Sequence, residues 1–407
     1  MPFNRRLFIQ KLSKIGALGT LALPTWSTAL AGINKTNDKI AFIAGPYLQN
    51  LMPNEVTIVW ITNNNSLSWV EYGAGTYLSL KAYTARNGLI QANNRINKVT
   101  IKNLKPGSEY KYRINSKEIL HFQASKVEYG QPLQSIIYSF KTPAVDEEAF
   151  KMVILNDIHD RPQTIPQLLY KHGYTGNNPD FDFVVLNGDC FDHVDSEEQV
   201  IDHLLKPCTE VFSKEVPFIF VQGNHEVRGS FARQLPDYFT YPTDKYYYSF
   251  TRGPVHFVIL DSGEDKTDDN WEYNGLAAFD EYREVQQKWL EKEIESEVFK
   301  KAAFRVVLIH ISPYHSGDWH GTLHCRQLFG PLFNKGKIDL MLSGHTHRYA
   351  THDADATHNY PIVIGGGPLE GKRTLIKLHA TKKELNLKMI RDDGEEVGKY
   401  TIKKKFV

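Results

Sequence analysis

Cysteine is scarce in this 407-residue chain, which has three, Cys190, Cys208 and Cys325, none in a closely spaced pair. An odd, scattered set argues against a disulfide framework and against a thiolate metal site. Charge imbalance is missing as well. The formal net charge is +1, which gives no support to a nucleic-acid or anionic-membrane partner. The basic ending "IKKKF" reads as a solvated strand end, not a binding tail. Internal repeats and low-complexity segments are also absent. What remains is the composition of a folded soluble protein, long enough for two domains.

Residues 1–31 are set apart. Arg5 and Arg6 precede a modest apolar stretch from Ile15 to Leu23, and small residues follow up to Ala31. This is the layout of an export signal cleaved near Ala31, and its apolar core is too short to span a membrane as a helix. The arginine pair resembles a twin-arginine signal, which implies a periplasmic protein with no transmembrane anchor after cleavage. Cleavage would remove four basic residues and no acidic ones, leaving 44 against 47 and a net charge of −3.

The rest of the chain has two textures. Residues 40–143 show short alternating strands: in "EYKYRI", Tyr110, Tyr112 and Ile114 share one face, and Glu109, Lys111 and Arg113 the other. The turn "NLKPGSEY" resembles the tyrosine corner of fibronectin-type sandwiches, so this region is expected to be an all-β, fibronectin-III-like sandwich. After a linker near 143–150, solid apolar runs appear at 151–156, 181–187, 217–222, 256–261, 305–309 and 339–343. Such runs are buried on both faces. Helical stretches between them, 196–213 and 277–294, make this an α/β layered domain. In the second stretch Phe279, Tyr282, Val285, Trp289 and Ile294 form the expected apolar stripe.

Ligands of α/β sheets bind beyond the carboxyl ends of strands. Five of the six runs end in oxygen or imidazole donors, far more than chance placement supplies. They are "NDIHD" with Asp157 and His159, "NGDCFDH" with Asp189 and Asp192, "QGNHE" with Asn224 and His225, "HISPYH" with His310, and "SGHTH" with His345 and His347. In this order the set resembles the calcineurin-like metallophosphoesterase superfamily. With the sandwich in front, beginning "GPYLQN", the chain is similar to its purple-acid-phosphatase-like members.

The resemblance implies a four-layer α/β/β/α domain over 150–360, completed by a C-terminal β segment over 361–407. It implies two metal ions, with Fe, Zn or Mn as candidates. Asp157, His159 and His347 would hold one, Asn224, His310 and His345 the other, and Asp189 would bridge them. The donor set contains no thiolate and suits such ions. His345 and His347, two apart in an extended segment, are expected to face the two ions from one side, with Gly344 allowing close approach. The implied activity is hydrolysis of a small phosphoester, foremost a phosphomonoester, by in-line attack of a metal-bridging hydroxide. A phosphodiesterase is the alternative on the same centre. The alternative from another class is a surface or periplasmic binding protein with a relic metal domain, which the complete ligand set disfavours.

Three further residues receive catalytic roles. By resemblance to phosphoprotein phosphatases of the superfamily, the Asp192 carboxylate would orient His225, and His225 would stabilise the transition state or protonate the leaving oxygen. His320 lies about ten residues after His310, where similar enzymes place a substrate-facing histidine. The glycines of "IGGGP" (364–368) read as a tight turn before the C-terminal β segment, since no lysine follows them as in a phosphate loop.

One departure is informative. Purple enzymes owe their colour to an iron-bound tyrosine three residues after the bridging aspartate, and here that position is Asp192. The purified holoprotein is therefore expected to be colourless; a visible charge-transfer band in its absorption spectrum would contradict this.

Overall fold

In the computed structural model, which describes residues 39–404, an all-β sandwich precedes a two-sheet α/β domain. The predicted signal at 1–31 lies outside the described residues. No described helix is long and apolar enough to cross a membrane.

The sandwich opens with β1 (Phe42–Met52) and the long β2 (Glu55–Gly73). The first half of β2 pairs with β1 and with β3 (Ala92–Lys102). Past a register shift after Ile61, its second half pairs with β4 (Glu109–Gln123), so one bent strand serves both layers. β5 (Lys126–Gln134) and β6 (Tyr138–Lys141) extend the β4 layer. Tyr110, Tyr112 and Ile114 are buried on one face of β4, as the alternation predicts. The Tyr110 hydroxyl accepts the Lys105 N–H at 2.8 Å, which forms the expected corner.

Each predicted apolar run of the second region is a strand. β7 (Ala149–Leu155), β8 (Phe183–Asn187) and β9 (Phe218–Val221) run parallel in one sheet. The second sheet contains β10 (Tyr248–Arg252), β11 (Val255–Leu260), β12 (Phe304–Ile309), β13 (Leu340–Ser343), β14 (Ala350–His352) and β15 (Ile362–Ile364). The chain then returns to the first sheet as β16 (Thr374–Thr381), β17 (Glu384–Arg391) and β18 (Glu396–Lys403). Strand order is β9-β8-β7-β16-β17-β18 in one sheet and β10-β11-β12-β13-β15-β14 in the other.

Alternation within each run decides the layering. Met152 and Ile154 of β7 meet Phe257, Ile259, Val306 and Leu308 between the sheets. Val153 and Leu155 face the other way, onto helices α1 (164–173) and α2 (197–211). Val258, Leu260, Val307 and Ile309 likewise cover themselves with α3 (Phe279–Glu293) and α4 (His320–Gly336). The result is α/β/β/α.

One local expectation changes. On α3, Val285 is exposed, while Arg283 and Gln286 are buried beside Leu290. Both polar side chains are satisfied by the segment after β11: Arg283 Nε donates to the Ser262 carbonyl at 2.8 Å, and Gln286 Nε2 to that of Asp261 at 2.7 Å. The rest of the expected stripe holds, with Ile294 buried and Tyr282 and Trp289 packed against the same core, and the buried polar pair adds contacts to the loop backbone.

The sandwich is anchored to the α/β domain by buried aromatics with polar tips. Tyr47 packs against Phe218 and donates its hydroxyl to the Tyr238 carbonyl at 2.6 Å. Tyr112 donates to the Lys214 carbonyl at 2.6 Å. Tyr47→Ala is expected to destabilise the chain by about 3–5 kcal/mol through the cavity it leaves, and Tyr47→Phe by about 1 kcal/mol, as read by denaturant unfolding.

Candidate metal centre

The site forms where β7, β8, β9, β12 and β13 end. The chain reverses sharply at these ends, and five of the predicted ligands take left-handed backbone conformations. Their φ values are 51° at Asp157, 49° at His159, 53° at Asp189, 73° at His345 and 56° at His347. Such conformations cost non-glycine residues about 1–3 kcal/mol each and persist only where surrounding contacts impose them. The "GHTH" segment is therefore not extended, contrary to expectation. Thr346 N–H closes back on the Gly344 carbonyl at 2.9 Å, and the turn sends the two histidines apart. Gly344 is required by close approach, since a Cβ there would collide with Asp157 Oδ2. Gly365, of the "IGGGP" turn, has its own place under the site: a Cβ would strike the Asn156 side chain.

All seven predicted ligands converge. Asp157, His159, Asp189 and His347 form one group, and Asp189, His310 and His345 a second, so Asp189 is common to both. Asp189 Oδ2 stands 3.6 Å from His159 Nε2 and 3.0 Å from His310 Nε2. Asp157 Oδ1 is 3.4 Å from His347 Nε2, and His347 Nε2 is 2.9 Å from His159 Nε2. Asn224 Oδ1 joins the second group, 2.9 Å from His345 Nδ1.

Outer partners orient these donors. His310 Nδ1 donates to the Asn187 carbonyl at 2.7 Å, which leaves Nε2 toward Asp189. Asp192 differs from expectation: its carboxylate Oδ1 meets His159 Nδ1 at 2.8 Å, while its backbone carbonyl accepts from His225 Nδ1 at 2.7 Å. The side chain thus orients a ligand, and the main chain orients His225. His225 Nε2 receives Arg228 Nη1 at 3.2 Å and lies 4.0 Å from Asp189 Oδ2. His320 stands apart from the seven, with Nε2 on the Asp280 carboxylate at 2.8 Å.

Sequence reading missed two supports. Glu226, quoted only as the end of "GNHE", is fully buried and accepts the N–H groups of Asp189, Cys190, Phe191 and Gly223. Arg228 makes a two-pronged bond to Glu264, at 2.6 and 2.7 Å, beside His225. The motif carried a signal for Glu226; nothing in the sequence singled out Arg228.

Burial works to raise the Asp157 carboxyl, but hydrogen bonds from His159 and His347 overcome it and bring it down to about 2. Asp189 is likewise held low against its burial by the charge of His310. Burial alone would lower His310, yet the neighbouring Asp189 and Asp157 carboxylates push it up to about 10. His345 is lowered to about 4 by burial and by His310. The two carboxylates therefore set a negative potential that favours a cation. The donor atoms fit that reading, because Asp189 Oδ2 and His310 Nε2 are buried with only each other close by at 3.0 Å and the His159 and His347 nitrogens face each other. Oxygen and imidazole donors of this kind suit Fe, Zn or Mn.

Comparison with known proteins agrees in order and extent. The calcineurin-like phosphoesterase family matches residues 150–349, and the purple acid phosphatase N-terminal domain matches 46–142. Probable purple acid phosphatase 20 of Arabidopsis thaliana is 23% identical over 382 residues, covering 84% of this chain and 78% of its own. Fe(3+)-Zn(2+) purple acid phosphatase 12 of the same plant is 25% identical over 165 residues, 37% of this chain and 32% of its own. A purple acid phosphatase from yellow lupin (Lupinus luteus) seeds shares the fold, with a TM-score of 0.66 at 18% identity over 89% of this chain and 74% of its own.

The divided grouping makes a quantitative prediction. His345→Ala and His347→Ala should each lower bound metal by about one equivalent per chain, and the double variant by about two, read by elemental analysis. A double variant that loses only one would place both histidines on a single ion.

Proposed function

The chain belongs to the calcineurin-like metallophosphoesterases, with the N-terminal domain of purple acid phosphatases, and from that premise we propose that it is an exported phosphomonoesterase with a dinuclear centre. The observation that carries the reading is the shared Asp189 between two groups of N and O donors. Asp157, His159 and His347 would hold one ion, Asn224, His310 and His345 the other, and Asp189 both. When bound, such ions supply Lewis acidity toward phosphoryl oxygens and lower the pKa of water. Neither the donor set nor the missing tyrosine calls for a ferric ion.

The remaining steps belong to the protein. Asp192 keeps a proton on His159 Nδ1 and so directs His159 Nε2 inward. The Asp192 carbonyl fixes the His225 ring, whose Nε2 stands beside the Arg228 guanidinium at the half-buried rim. A phosphoester oxygen arriving there meets a fixed cation, and beside it the His225 ring, whose Nε2 accepts from Arg228 and must take up a proton before it can pass one to the leaving group. Export rests on the Arg5-Arg6 segment and its small-residue cleavage site.

Asp192→Asn should lower kcat by roughly 10–100-fold with metal content intact. Weaker metal binding in that variant would be the same orienting role showing in affinity, and an unchanged kcat with full metal content would remove the role. An activity panel of monoesters and diesters, with metal quantification on the same sample, tests the whole reading. Faster turnover of diesters would reverse the substrate assignment. Less than one metal equivalent with no hydrolysis of an aryl phosphate would favour a relic.

A further inference from the structure

A separate set of imidazoles joins the segment after His310 to the segment after His347. His358, between β14 and β15, is fully buried. Its Nδ1 lies 2.8 Å from the Tyr360 carbonyl, which can only accept, so Nδ1 carries a proton, and in the neutral ring Nε2 presents a lone pair. That Nε2 is 2.9 Å from His315 Nε2 and 3.4 Å from Asp355 Oδ2. The other Asp355 oxygen is occupied, accepting from Thr357 N, Thr357 Oγ1 and His358 N at 2.7, 2.6 and 3.1 Å. Oδ2 is thereby aimed at the imidazoles. His315 lies flat on His352, with ring centroids 3.8 Å apart and planes 4° apart.

A hydrogen bond from His315 Nε2 to His358 Nε2 would account for the ring contact. That bond leaves the Asp355 oxygen facing the same nitrogen, and a positive centre between them, a proton or a metal ion, is what removes the repulsion of two acceptors. Burial and the neighbouring His352 and His358 lower His315, which keeps the ring in the neutral form that binds metal. All three donor atoms lie within 4.8 Å of one another.

We propose that His315 Nε2, His358 Nε2 and Asp355 Oδ2 bind a third divalent transition ion, of the zinc class, distinct from the dinuclear pair. Two imidazoles, one carboxylate and a water complete a four-coordinate set. The buried His358 Nδ1–H to the carbonyl is the outer-shell bond that orients such a ligand. The ion braces the loop that follows His310 against the loop that follows His345 and His347. Its binding is independent of the phosphoesterase reading.

The test is Zn²⁺ uptake by the purified full chain at fixed free Zn²⁺, measured by equilibrium dialysis. His315→Ala alters an exposed side chain, and Asp355→Asn keeps the turn bonds of Oδ1, so both variants are expected to fold. Each should bind one equivalent less than the unaltered chain, and each should lose part of the rise in Tm that Zn²⁺ gives the unaltered chain. Equal uptake by all three proteins would overturn the site and leave the ring contact as a hydrogen bond.

Discussion

Four main-chain amides from two different strand ends finish on one buried carboxylate, that of Glu226. Oε2 takes Asp189 N and Gly223 N at 2.9 and 2.8 Å; Oε1 takes Cys190 N at 2.6 Å and, more loosely, Phe191 N at 3.4 Å. Burial and the nearby Asp189 charge raise this carboxyl to about 7, so its environment opposes ionisation and the amides compensate. The loop after β8 and the loop after β9 are thereby one unit. Asp189 cannot move without moving Asn224, and the two metal groups inherit a fixed separation.

The left-handed residues belong to the same arrangement. Each one turns the chain tightly enough for a strand end to present its side chain into the cleft and not along the strand. The strain is offset locally: Asp157 accepts the His345 N–H at 3.0 Å, and Asp157 N–H and His159 N–H bond the carbonyls of Gly188 and Asp189 at 3.0 Å. The strand ends hold one another in conformations that none would adopt alone.

Much of this was legible from residues alone. Apolar runs marked the strands because burial on both faces leaves no room for polar alternation, and the donors at their ends marked the site. What stayed hidden depends on backbone direction. The extended reading of "GHTH" placed His345 and His347 on one side, whereas the turn at Thr346 separates them. Asp192 was assigned to His225 by analogy; its side chain meets His159, and its backbone carbonyl meets His225. Arg283 was hidden for another reason: no periodicity rule anticipates a buried guanidinium held by loop carbonyls together with the Asp280 carboxylate.

The return of β16 to the first sheet, beside β7, has a consequence in time. β7 is the opening strand of the α/β domain, yet one of its edges is covered by residues 374–381, more than two hundred positions later. During synthesis the strand that leads to Asp157 and His159 must wait with that edge open until more than two hundred further residues have emerged. A topology so rich in distant pairings folds slowly, and its unfinished sheet is a surface for wrong partners. The completed centre is thus a late product of the chain, assembled when β16 closes on the domain's opening strand.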